Sequence, residues 1–412
     1  MSDPVVIVGT GLAGYTVARE FRKLDKTTPL LIVSRDHGGF YSKPMLSNAL
    51  AGNKTATTLV MKTAEKMAAE LGATVRPHTE VLRIDTAARQ IALQAVPGAD
   101  AGAAGVSVSV AGTPGAASPD QSTRETLTYR DLVLAPGADP IRLPLGGDAA
   151  DEVMSVNDLE DYARFAERLV GAERVAILGA GLIGCEFAND LLARGIHPTV
   201  IDIAERPLAR LLPEAAGQRL RERLEAAGVA FRFGVAVQQI SREGDHLALT
   251  LSDGHLLVAD RVLSAIGLKP RTALAQAAGL AANRGIVTDR YLATSAAHVH
   301  AVGDAAEVDG HVLPYVMPLM QQGRALAATL AGTPTPVQYP AMPVVVKTPA
   351  CPTVVCPPPP GAEGRWQVTA SDDGCEARFN DDAGRLLGFA LLGSATAQKQ
   401  ALAAQVPALI GA

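Results

Sequence analysis

Two glycine clusters stand out among the residues of this chain that could do chemistry. Gly9-Thr10-Gly11-Leu12-Ala13-Gly14 follows the apolar run Val5-Val6-Ile7-Val8, and residues 15–22 after it carry the period of a helix. Gly179-Ala180-Gly181-Leu182-Ile183-Gly184 follows Arg174-Val175-Ala176-Ile177-Leu178 and opens a second helical run over 185–192. In a strand–turn–helix the first glycine permits a tight turn and the second lets the backbone approach a pyrophosphate. The third lets helix and strand pack closely. The free N–H groups and positive dipole end of the helix then favour a phosphate.

The strands that follow carry the next polar groups. Thr199-Val200-Ile201-Asp202 ends in an acid 18 residues after Gly184, the spacing at which a carboxylate takes a ribose 2′-hydroxyl. An acid there repels a 2′-phosphate and favours NADH over NADPH, although Arg206 and Arg210 stand close by in sequence. Leu30-Leu31-Ile32-Val33 instead runs into Ser34-Arg35-Asp36. Either Asp36 serves the ribose from beyond the strand end, or Ser34 and the backbone do, with Arg35 near the adenosine.

These motifs need a large scaffold, and 412 residues supply two or three domains' worth. The net charge of −5 and pI near 5.9 argue against general affinity for nucleic acid or acidic membranes. Four cysteines are too few for a secreted disulfide framework. No basic segment precedes Val5, and the uncharged stretch 101–119 is too rich in Gly, Ser, Thr and Pro to span a bilayer. A soluble cytoplasmic protein is expected. Residues 78–85 and 90–93 read as a small antiparallel piece, and 97–123 as a flexible surface insertion in which 106–110 extends a strand. Leu132-Val133-Leu134-Ala135-Pro136-Gly137-Ala138 and His300-Ala301-Val302-Gly303-Asp304 read as strands ending in turns. A helix is expected from Pro318 and a last one over 397–404, while the proline-dense stretch 332–360 marks a linker and edge strands.

Two dinucleotide motifs in one chain, with Leu134–Ala138 between them and Gly303-Asp304 after the second, resemble the two-domain FAD/NAD(P)H flavoprotein reductases. Tyr41-Ser42-Lys43-Pro44-Met45-Leu46-Ser47 and Val346-Lys347-Thr348-Pro349-Ala350-Cys351-Pro352 narrow the likeness to the rubredoxin–NAD reductase group. The resemblance covers the whole chain. It implies an α/β, glutathione-reductase-like fold: two Rossmann-like domains of ββα sandwich type and a smaller α+β C-terminal domain. The expected boundaries are 1–150 with 269–333 for FAD, 151–268 for NADH and 334–412 for the last domain.

The resemblance also assigns roles. Gly9, Thr10, Gly11, Leu12, Ala13 and Gly14 are expected on the FAD pyrophosphate, Ser34 and Arg35 at the adenosine, and the backbone of Val81 at the adenine. Lys43, Glu186 and Lys347 are expected beside the isoalloxazine, with Pro44 at the ring edge, Asp304 on the ribitol and Val316 near the ring. Gly179, Gly181, Gly184 and Asp202 are expected to hold NADH. Read without the resemblance, Lys43–Ser47 is a turn and helix cap.

Three departures stand out. Related ferredoxin-type reductases carry a lysine where this chain has Asn48, so Glu186 lacks that partner or uses Lys43. Pro136 replaces a small polar residue, and the 97–123 insertion is long for the family.

The acceptor is read from what is missing. Disulfide reductases of this superfamily carry Cys-x4-Cys where this chain has Ser42–Ser47, so no thiol relay is expected there. Cys351-Pro352-Thr353-Val354-Val355-Cys356 has the spacing but lies in a strand-like, proline-rich segment, and is read as two structural thiols. No metal site and no catalytic side chain are expected. The resemblance implies hydride transfer from NADH to FAD and single-electron transfer to rubredoxin, a small acidic iron protein; a monomer is expected. Lys43, Lys54, Arg324 and Lys347 are candidates for a basic rim that meets it. A ferredoxin-type reductase, an NADH oxidase and a redox-sensing FAD protein remain alternatives.

Overall fold

The computed structural model describes residues 2–96 and 124–411; the expected insertion 97–123, with its strand at 106–110, lies outside the described residues. The chain forms two compact units, one of Met1–Tyr41, Val60–Ala138 and Pro270–Val337, the other of Ser42–Leu59, Asp139–Lys269 and Gln338–Ala412.

The first unit is built on a five-stranded parallel sheet. Its strand order is Val299–Ala301, Asp131–Leu134, Val5–Val8, Leu30–Val33, Thr74–Arg76. Val5, Val6, Ile7 and the whole Leu30–Val33 strand are buried, as expected of strands covered on both faces. The helix Leu12–Leu24 buries Tyr15, Val17, Ala18 and Phe21. It packs on the helix Val316–Leu330 so closely that a Cβ on Gly323 would come within 2.5 Å of Thr16. Strands Thr79–Asp85, Gln90–Ala95 and Glu125–Thr128 form the small antiparallel sheet. The Val316–Leu330 helix begins two residues before Pro318. Proline is tolerated there because the first-turn N–H groups have no intrahelical partner to lose.

The second unit carries a four-stranded parallel sheet in the order Ala230–Phe233, His197–Asp202, Arg174–Leu178, Arg261–Ser264. Ala176, Leu178, Ile201 and Val262 of this sheet share a core with Ile240, Leu249 and Leu251 of a three-stranded antiparallel sheet. The same unit contains a five-stranded antiparallel sheet whose buried middle strand is Leu386–Gly393. Val344–Val346 lies at its edge, after Pro340 and Pro343, as the proline density predicts. Arg219 of the Glu214–Ala226 helix donates to the Ser371 carbonyl at 2.8 Å, tying that helix to the turn before Gly374–Asn380. The last helix is Lys399–Ala403, shorter than the expected 397–404 because a 3-10 turn occupies Ser394–Gln398. Both parallel sheets have the Rossmann-like arrangement that the sequence predicts.

Candidate functional site

The two glycine loops sort their glycines by physical cause. A Cβ on Gly9 would overlap the Ala135 carbonyl, and one on Gly14 would overlap the Gly9 carbonyl. A Cβ on Gly179, at φ +102°, would come within 2.8 Å of Ala265 O, and one on Gly184 would overlap the Gly179 carbonyl. These four glycines are required by the protein itself. The middle ones are not. A Cβ on Gly11 or Gly181 meets nothing within 4 Å, and their φ values of −67° and −73° suit any residue. Each leaves open space in front of a helix start, the shape that lets a pyrophosphate reach the backbone.

The helix ends agree with that reading. The helices starting at Leu12 and Leu182 have neither a capping side chain nor an acid in the first turn. The helix starting at Val316 shares this. By contrast Thr63 caps the helix Ala64–Leu71, and Asp158 caps Leu159–Arg168. Uncapped first-turn N–H groups are ready donors for an anion.

Around the first loop, Thr10, Ser34 and Asp36 form one network. Ser34 donates to Asp36 Oδ1 at 2.7 Å, Gly38 N–H to the same oxygen at 2.9 Å, and Thr10 to Ser34 at 2.8 Å. Asp36 lies beyond its strand, yet the turn closed by Gly38 brings its carboxylate back to the loop. Ser34 is therefore committed to Asp36, while Arg35 points outward on an exposed position. Val81 is buried in the Thr79–Asp85 strand. Gly303, at φ +76°, lies so close to the first helix that a Cβ would sit 2.6 Å from Ala13, and its N–H donates to Gln322 at 2.6 Å. Asp304 is thereby brought beside the loop. Val316 is two-fifths exposed at its helix start.

In the second unit Asp202 is tied to the glycine loop. Its carboxylate accepts from Ala180 N–H at 2.6 Å and Ala204 N–H at 2.8 Å, and Leu208 N–H donates to the Ala180 carbonyl at 2.9 Å. A carboxylate has about four acceptor positions, so both oxygens keep capacity for ribose hydroxyls. Arg206 lies across Gly217, where a Cβ would come within 2.7 Å of its Cδ.

One face of the Leu182–Leu192 helix collects residues remote in sequence. Glu186 accepts from the Ser47 hydroxyl at 2.5 Å and from Lys347 N–H at 3.0 Å, and pairs with the Lys347 ammonium. Asn189 accepts from Ala350 N–H at 3.0 Å. Asp190 accepts from Leu50 N–H at 2.9 Å and Ala51 N–H at 2.8 Å. Burial pushes the Asp190 carboxyl above the usual carboxylate range. Lys347 and Ser47 thus both reach Glu186, whose expected family lysine is absent at Asn48. Lys43 and Pro44 open a 3-10 helix over Lys43–Asn48; Ser47 is inside it rather than capping the next element. Lys347, a candidate for the basic rim, is paired here with Glu186. Ser47, Asn189 and Asp190 were not legible as site residues, because nothing local marks contacts across more than a hundred positions.

The thiols are placed for packing. Cys185, Cys351, Cys356 and Cys375 are all buried and unbridged. Burial pushes the Cys185 thiol up to about 12 and the Cys356 thiol up to about 11, far from a reactive thiolate. Among the described residues no group of three or more His, Cys, Asp or Glu is arranged to hold a metal ion, and no helix is long and apolar enough to cross a membrane.

Two Rossmann-like sheets, each opening on a loop with room for a dinucleotide pyrophosphate, define a two-nucleotide oxidoreductase. The chain belongs to the pyridine nucleotide-disulphide oxidoreductase family, whose pattern matches residues 3–329. Residues 336–406 match the rubredoxin binding C-terminal domain. The chain is 47% identical over 409 residues to the rubredoxin-NAD(+) reductase of Alcanivorax borkumensis, covering 99% of each. It is 45% identical to that of Acinetobacter baylyi, covering 97% of this chain and 96% of the relative. A ferredoxin reductase from Rhodopseudomonas palustris shares the fold with a TM-score of 0.83 at 24% identity, covering 98% and 96% of the two chains.

Proposed function

We propose that this chain is an NADH:rubredoxin oxidoreductase that works with bound FAD. The observation that carries the reading is the pair of open positions at Gly11 and Gly181, each in front of an uncapped helix. One loop would take FAD and the other NADH. The chemistry FAD supplies when bound is conversion of a two-electron hydride donor into single electrons for an iron acceptor. The matched C-terminal domain and the named relatives make rubredoxin that acceptor.

The residues of the chain bind and orient. Gly9, Thr10, Gly11, Leu12, Ala13 and Gly14 turn the backbone N–H groups toward the FAD pyrophosphate. Ser34 and Asp36 serve the ribose, Arg35 the adenosine and the Val81 backbone the adenine. Asp304 takes the ribitol, Val316 starts a helix at the ring, and Lys43, Pro44, Glu186 and Lys347 address the isoalloxazine. Gly179, Gly181 and Gly184 shape the NADH loop, and Asp202 accepts from the 2′-hydroxyl and repels a 2′-phosphate. Hydride transfer between stacked rings needs no side-chain acid or base, so positioning is the protein's contribution. The assigned domains are 1–150 with 269–333, 151–268 and 334–412, in a cytoplasmic monomer.

The test is direct. Purified protein should carry stoichiometric FAD, NADH should bleach its visible band rapidly without oxygen, and cytochrome c reduction should require added rubredoxin. Cytochrome c reduction that instead requires a [2Fe–2S] protein would make it a ferredoxin-type reductase. Slow bleaching with a long-lived charge-transfer band would make it a sensor. Rapid oxygen consumption without any carrier would make it an oxidase.

A further inference from the structure

We propose that Ser47 is a positioning residue for the reaction, fixing the Glu186 carboxylate and through it the Lys347 ammonium. The inference rests on the assignment of Glu186 and Lys347 to the flavin, and Ser47 itself has no role in that assignment.

Glu186 is only 3% exposed, and a buried carboxylate must find its donors inside the protein. Three are present: the Ser47 hydroxyl at 2.5 Å and the Lys347 ammonium, both on Oε2, and Lys347 N–H at 3.0 Å on Oε1. The ammonium and the N–H come from one residue, so Lys347 alone leaves the pair free to shift together. Ser47 approaches from a different segment and on the oxygen that holds the ammonium, which fixes the carboxylate plane.

The serine is itself held. It is 2% exposed in the Lys43–Asn48 turn, and the chain just after it is pinned to Asp190 through Leu50 and Ala51 N–H. Asp190 lies one turn beyond Glu186 on the same helix. The donor and the carboxylate it addresses are therefore mounted on one rigid support. A hydroxyl so placed, donating to a charged acceptor, belongs to the stronger class of hydrogen bond.

Ser47→Ala, Ser47→Thr and Glu186→Gln separate the possibilities. In the apoprotein, reductive methylation with 13C-formaldehyde makes Lys347 visible by NMR without any flavin. Ser47→Ala should broaden or shift the Lys347 methyl resonance, and Ser47→Thr should restore it. In the FAD-loaded protein, Ser47→Ala should shift the flavin midpoint potential to more negative values. It should also slow flavin reduction by at least threefold with KM for NADH unchanged, and Ser47→Thr should recover both. A Ser47→Ala protein with wild-type Lys347 resonance and wild-type potential would overturn the proposal. If Ser47→Ala moves the apoprotein resonance while Glu186→Gln leaves the potential unchanged, the assignment of Glu186 to the flavin fails, and the role of Ser47 in the reaction fails with it.

Discussion

Adding one methyl group to Gly11 or Gly181 separates nucleotide binding from folding. Both glycines have extended, negative-φ backbone with no atom within 4 Å of an added Cβ. Alanine in place of glycine at a helix N-cap costs on the order of 1 kcal/mol, and the loss of unfolded-state freedom returns about 0.4–1 kcal/mol. Folding stability should therefore change by less than about 1 kcal/mol, which moves Tm by no more than the roughly 2–4 °C seen for domains of about 150–250 residues. The nucleotide meets a different situation. A methyl in the open position holds the pyrophosphate off the backbone, and two charge-assisted hydrogen bonds at about 1.5–3 kcal/mol each are at stake. The loss of about 3–6 kcal/mol corresponds to roughly 10²–10⁴-fold in affinity.

Gly11→Ala should thus purify folded and colourless, with an apoprotein Tm equal to that of wild-type apoprotein and FAD affinity down by that factor. Gly181→Ala should keep its FAD and raise KM for NADH. Gly14→Ala and Gly184→Ala are the contrast, because their Cβ atoms would overlap backbone carbonyls; they should lose stability outright. A Gly11→Ala protein that binds FAD like wild type, or that melts more than about 10 °C lower as apoprotein, would refute the reasoning.

Asp202→Ala should narrow the preference for NADH over NADPH by about tenfold, the equivalent of about 1.4 kcal/mol; measured kcat/KM values for the two coenzymes that keep their wild-type ratio would deny Asp202 a discriminating role. Cys351→Ser and Cys356→Ser, singly and together, should retain rubredoxin-dependent turnover, since both thiols are buried and pushed above their ordinary range; loss of turnover with FAD still bound would reinstate a thiol relay. Asp190 gives a pH signature. Burial raises its carboxyl in the folded protein, so the folded state holds that proton more tightly than the unfolded chain. Its contribution is most favourable at and below the ordinary carboxylate range and declines as pH rises through the raised value. The stability of wild type relative to Asp190→Asn, read from Tm, should fall from about pH 4 toward pH 7, and a difference that grows with pH would contradict the assignment.

Much of the scaffold was legible because it is local. Strand, glycine turn and helix follow one another within about twenty residues in both units, and the buried parallel strands announce themselves as unbroken apolar runs. Asp202 was legible by its distance from Gly184. Asp36 was only half legible: sequence placed an acid beyond the strand, and the Gly38 turn that folds it back has no pattern strong enough to choose it over Ser34. The glycines themselves were visible, but their reasons were not. Only the placement of the Ala135, Ala265, Gly9 and Gly179 carbonyls distinguishes a glycine that packing demands from one that leaves room for a ligand.

The Glu186 cluster shows the limit most clearly. Ser47 lies 139 positions from Glu186, and Lys347 lies 161 positions away. No period or spacing rule reaches across such separations, and for the lysine absent at Asn48 the sequence offered only Lys43 as an alternative partner of Glu186. The helix Leu182–Leu192 resolves this physically. Its N-terminus fronts the open Gly181 position, and five residues on, about 7.5 Å along the axis at 1.5 Å per residue, it presents Glu186 to Ser47 and Lys347. One rigid element therefore sets the distance between the nucleotide loop and the buried carboxylate. A residue that steadies the carboxylate, as Ser47 does, acts at a fixed remove from that loop, so its loss should be felt in the rate of electron entry rather than in the affinity for NADH.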